Sequence, residues 1–140
     1  MRTYLIVAHR TLLGPELVEH VESLGPGDSR LHLVVPVHHP HDHSWSDGEV
    51  QAEARGRLVE GLARFQGLGF EVTGEVGDAN PVYAATTAMR DSGLTFDEVI
   101  VSTLPSGLSR WLHVDAVSRL TREVTLPVTH VEAVHAGAHR

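Results

Sequence analysis

Hydroxyl and imidazole side chains carry most of the chemistry available to this chain. Ser102, Thr103, Ser106, Gly107 and Ser109 follow the short apolar run Val99-Ile100-Val101. Such a cluster can donate hydrogen bonds to a small polar ligand or an anion. His9 follows a second apolar run, Tyr4-Leu5-Ile6-Val7-Ala8, and leads into Arg10 and Thr11. A histidine beside a serine can activate a nucleophile. No G-x-S-x-G elbow is present, however, and no acidic orienting partner for His9 is evident by spacing. His9 therefore reads as a hydrogen-bonding wall, no residue is assigned a catalytic role, and the chain is not expected to be an enzyme.

Histidines also cluster at His38-His39-Pro40-His41-Asp42-His43. In an extended loop His39, His41 and His43 would project to one side, and neutral imidazole is a common ligand for zinc, nickel and copper. A specific site needs fixed geometry and supporting hydrogen bonds, which a loop alone does not supply. The plainer expectation is a solvated loop, with those three histidines as the candidates if a metal is held. Asp42, Asp47, Glu49 and Glu53 read as a solvated loop and helix start. Trp45 reads as a cleft wall or packing anchor, Trp111 as core or dimer packing, and Phe65 and Phe70 as core.

The elements that must position these groups alternate along the chain. Strands are expected at residues 4–8, 31–37, 70–76 and 97–101, with a fifth opening at Leu126. Helices are expected at about 15–24 and 48–68, from Pro81 to about Asp91, and ending near Glu123. Leu17, Val18 and Val21 mark the inner face of the first helix, and Ala54, Leu58, Leu62 and Phe65 that of the second. Gly25-Pro26-Gly27 stops the first helix, and Pro81 suits a first helical position. Strand–helix alternation with short connections demands an α/β sandwich, a parallel sheet with helices on both faces. In such sheets ligands sit beyond the carboxyl ends of the strands, where the hydroxyl cluster falls.

The 140 residues suit one domain, expected over 1–134, with a disordered tail at 135–140. A formal net charge of −7 argues against non-specific nucleic-acid binding. The absence of cysteine excludes disulfides and thiol chemistry and fits a cytoplasmic protein. No apolar run is long enough to span a membrane, and the N-terminus lacks the apolar core of a signal peptide.

The chain resembles the universal stress protein family over nearly its whole length. The resemblance rests on the opening YLIVAHRT, the turn GDANPV, the block VIVSTLPSGLSRWLHVDAVSRL and the closing LPVTHV. It implies a single three-layer sandwich with a five-stranded parallel sheet in the order 3-2-1-4-5. It also implies a homodimer built on strand five, at about 127–134. In the nucleotide-binding branch, ATP is held by G-x2-G-x9-G-[S/T] and an aspartate after strand one. By spacing those positions are here Ser102, Pro105, Asp115 and Ala116, and the aspartate is His9; Gly107 keeps the look of the loop.

An aspartate at the start of the fourth helix would cap it and repel a triphosphate. Pro105 removes a backbone donor. ATP binding is thus expected to be weakened or lost, leaving a non-catalytic small-ligand or stress-related interaction module and no obligate cofactor. The ligand positions are Ala8, His9, Arg10, Thr11, Val37, Ser102, Thr103, Ser106, Gly107, Ser109, Asp115 and Ala116, suited to a small anion or a nucleoside. The alternatives are an ATP- or AMP-binding member with slow hydrolysis, and a metal-binding protein working through the 38–43 loop.

Overall fold

Five strands and four α-helices order the described part of the chain. The computed structural model describes residues 1–39, 44–104 and 114–133. Strands β1 (Arg2–Val7), β2 (Ser29–Pro36), β3 (Glu71–Gly77), β4 (Glu98–Thr103) and β5 (Val128–Glu132) alternate with helices α1 (Pro15–Glu22), α2 (Asp47–Gly67), α3 (Pro81–Asp91) and α4 (Val114–Glu123). The strands form one sheet in the order β3-β2-β1-β4-β5, and every neighbouring pair is parallel. Both the α/β class and the strand order agree with the expectation.

Side-chain alternation along the strands divides the core. Tyr4, Ile6, Leu31, Leu33, Val35 and Ile100 pack with the inner faces of α1 and α2, including Leu17, Val21, Ala54, Leu58 and Phe65. Leu5, Val7, Val34, Val99 and Val101 pack on the other side with Val82, Ala85 and Ala88 of α3 and Leu120 of α4. The central strands β1 and β4 are apolar on both faces because both faces are covered.

Capping explains where the helices begin. Ser46 and Glu49 form a reciprocal capping box: the Glu49 N–H donates to Ser46 Oγ at 3.1 Å, and the Ser46 N–H donates to Glu49 Oε1 at 2.8 Å. Helix α2 thus opens at Asp47, and Glu49 serves as a cap rather than only as a solvated charge. Asn80 accepts from the N–H groups of Val82 and Tyr83, with Pro81 in the first turn of α3 as its sequence predicted. Helix α1 ends at Glu22, two residues short of the expected Leu24, and Gly25 follows with φ 84°.

Strand β4 runs to Thr103, beyond the expected end at Val101. Ser102 and Thr103 are therefore its last two residues rather than the first of a loop, and their side chains leave opposite faces of the sheet. The tail expected at 135–140 lies outside the described residues.

Candidate functional site

The strand order reverses direction at β1, which pairs with β2 on one side and β4 on the other. Chain leaving β1 and chain leaving β4 therefore part company there, and in open α/β sheets ligands bind in the crevice beyond the carboxyl ends at such a point. Ala8, His9 and Thr11 come from the end of β1, Val37 from the end of β2, and Ser102 and Thr103 from the end of β4. All six are buried.

A tight turn brings the first three together. The Leu12 N–H donates to the His9 carbonyl at 3.4 Å, and the Gly14 N–H to the Thr11 carbonyl at 2.9 Å. This curl turns the Thr11 hydroxyl toward β4, where Thr11 Oγ1 and Ser102 Oγ lie 2.6 Å apart in a buried hydrogen bond. In a hydroxyl pair one group donates to the other and the second keeps its own proton to offer elsewhere. On the opposite face Thr103 Oγ1 bonds His130 Nε2 of β5 at 2.7 Å. Two backbone donors at the rim are engaged as well: the Ala8 N–H by the Val34 carbonyl at 3.2 Å, and the Val37 N–H by the Gly77 carbonyl at 3.0 Å.

His9 is 2% exposed, and its Nε2 lies 2.8 Å from Glu53 Oε1 of α2. Arg57, one turn further along α2, donates from Nε to Glu53 Oε2. The His38 ring stands 5.4 Å from the His9 ring, tilted by 56°. Burial favours the uncharged imidazole of His9. The Glu53 charge opposes this and the Arg57 charge reinforces it, so the His9 pKa falls to about 4. Burial works to raise the Glu53 carboxyl, but the hydrogen bond and charge of Arg57, together with His9, hold it below the usual carboxylate range. At neutral pH the pair is a neutral imidazole against an ionised carboxylate.

Glu53 is the acidic partner that spacing did not reveal, and the expectation of a solvated helix start is corrected on this point. Its side chain is partly covered because α2, packed over β2 and β3, also lies against the loop that follows β1, where the imidazole meets it. The one hint in the sequence was the Glu53–Arg57 spacing, which places both on one helical face. His130 was likewise missed, since nothing local marks its partner, and His38 was read as part of the histidine cluster, not as a neighbour of His9.

The other expected site residues lie partly within and partly outside the described residues. Arg10 is exposed. The backbone of Asp115 lies in the first turn of α4, and Ala116 packs against the core beneath α3 and α4. Ser106, Gly107 and Ser109 lie outside the described residues, as do His41 and His43; His39 is exposed. Among the described residues no group of three or more His, Asp or Glu side chains could hold a metal ion. Trp45 is half-buried and packs on the α1–α2 side of the core as an anchor.

No family model and no curated protein sequence matches the chain. Solved structures do. A protein of the universal stress protein family from Burkholderia pseudomallei superposes with a TM-score of 0.63 at 16% identity, over 92% of this chain and 94% of that one. A universal stress protein in complex with cAMP superposes with a TM-score of 0.60 at 15% identity, over 93% and 96%. With the strand order and the two-sided helical cover in agreement, the chain has the fold of the universal stress proteins.

Proposed function

We propose that this chain is a non-catalytic small-ligand-binding module of universal stress protein type. Its crevice takes a nucleoside or a singly charged nucleotide in preference to a triphosphate. The observation that carries this reading is the His9–Glu53 pair. A neutral imidazole stands where the nucleotide-binding branch has an aspartate, and the nearest ionised group is a carboxylate whose charge disfavours a polyanion. Arg57 is held by Glu53 and is not free to turn to a phosphate. The Thr11–Ser102 pair offers hydroxyl recognition suited to a sugar. Pro105 and Asp115 in the sequence weaken the phosphate anchor further. A nucleotide with a single charge is supported by the similar fold that carries cAMP.

Thermal melting of the purified protein tests the proposal. A ligand at a hundred times its dissociation constant adds about 2.7 kcal/mol, a midpoint rise of several degrees for a chain of this size. Adenosine or cAMP should produce that rise, with Mg-ATP giving less. A rise with Mg-ATP alone would overturn the preference, and no rise with any of the three would overturn the ligand class.

A further inference from the structure

His32 takes no part in the crevice, yet it is 7% exposed and fully engaged. It lies on the α3 side of β2, the face that also carries Val34. Its Nδ1 is 2.7 Å from Thr73 Oγ1 and its Nε2 is 2.7 Å from Glu75 Oε2, both on β3. The Phe96 ring stands 6.0 Å away. Strand β3 is at the sheet edge and pairs with β2 alone. On the α3 side it presents Glu71, Thr73, Glu75 and Gly77, with no apolar side chain among them. Its apolar residues, Val72 and Val76, point to the other layer. Beyond the backbone ladder, then, this face of β3 is held by His32, by the close approach of Ala84 of α3 at Gly77, and by the Arg30–Glu71 pair, whose exposure makes it weak.

The far end of the same strand reaches the crevice. The Gly77 carbonyl accepts the Val37 N–H at 3.0 Å, and Val37 is one of the rim residues. While β3 is seated, that donor is occupied. If the strand lifts, the donor becomes available to whatever fills the crevice.

We propose that His32 is a two-point clasp that seats edge strand β3 against β2 and thereby controls whether the Val37 N–H stays bound to Gly77. The clasp belongs to the sheet and requires no ligand, so it stands or falls separately from the ligand reading. Residue-resolved amide hydrogen exchange on the full, ligand-free chain tests it. His32→Phe keeps a ring in the space and removes both bonds. A Thr73→Val, Glu75→Met double variant removes the partners while leaving His32 in place, and it decides the matter should the first variant not fold. The bonded amides of residues 71–77 and the Val37 amide should exchange about tenfold faster or more, with β1 and β4 unchanged. Glu71→Gln, which breaks only the exposed pair, should match the wild type. Unchanged exchange at β3 would overturn the clasp. Faster exchange in β3 without Val37 would overturn the link to the crevice, and an equal increase in every strand would show general destabilisation instead.

Discussion

At the scale of single residues, His9 shows how burial outweighs a favourable partner. A carboxylate 2.8 Å away would raise the pKa of an exposed imidazole, but here desolvation prevails, with help from Arg57. The consequence has a definite sign. The folded value of about 4 lies below the ordinary 6.5, so the unfolded chain takes up its proton first as pH falls. The His9 contribution is complete above about pH 6.5, declines between 6.5 and 4, and is constant below. Its full size is about 3 kcal/mol. Urea unfolding of the wild type and His9→Gln at pH 7 and pH 4.5 should show a larger loss in the wild type. An NMR titration of the His9 ring should centre near 4, and a midpoint near 6.5 would contradict the geometry.

At the scale of elements, glycine sets how closely helix and sheet approach. A Cβ at Gly74 would stand 2.6 Å from Leu58 Cδ1 of α2 and 2.9 Å from the Leu33 carbonyl oxygen, a backbone atom that cannot turn aside. Gly74→Ala should therefore destabilise by about 1–3 kcal/mol through overpacking. Gly56, in the middle of α2, has open space around its Cβ position. There the same substitution should stabilise by about 0.8–1 kcal/mol, because alanine is the better helix former. Chemical denaturation of the two variants checks both signs; equal effects would mean that packing against α2 is looser than described.

The elements themselves were largely legible in the sequence. Each strand is a short apolar or β-branched run, each helix carries its own apolar stripe, and both signals are local. Boundaries shifted by a residue or two where a cap decided them, as at Ser46 with Glu49. The site was legible only in part. Ala8, His9, Thr11, Val37, Ser102 and Thr103 were placed by their positions at strand ends. Glu53, by contrast, is 44 residues from His9, and the pairing exists only once α2 packs over β2 and β3 beside the loop that follows β1. The His32 clasp was invisible for a related reason. Polar residues in an edge strand look like ordinary solvent-facing positions until the neighbouring strand shows a buried imidazole between them.

At the scale of the whole molecule, the sheet has two edges with different chemistry. Strand β3 presents acidic and small residues, whereas β5 carries the half-buried Val128 and Val131. Among the described residues β5 has β4 as its one neighbouring strand, so it forms an edge of the sheet. The homodimer expected through about 127–134 would cover that edge, and sedimentation equilibrium should then give twice the chain mass of 15.2 kDa. A single-chain mass at high micromolar concentration would contradict it.

On the proposed function, the crevice beyond β1, β2 and β4 receives a nucleoside or singly charged nucleotide against a neutral His9. Amide chemical-shift mapping with cAMP tests this most directly. Saturable shifts should be confined to the amides of Ala8, His9, Thr11, Val37, Ser102 and Thr103, with weaker saturation by Mg-ATP. Tighter saturation of those same amides by Mg-ATP, or no shift in any of them at millimolar cAMP, would contradict it.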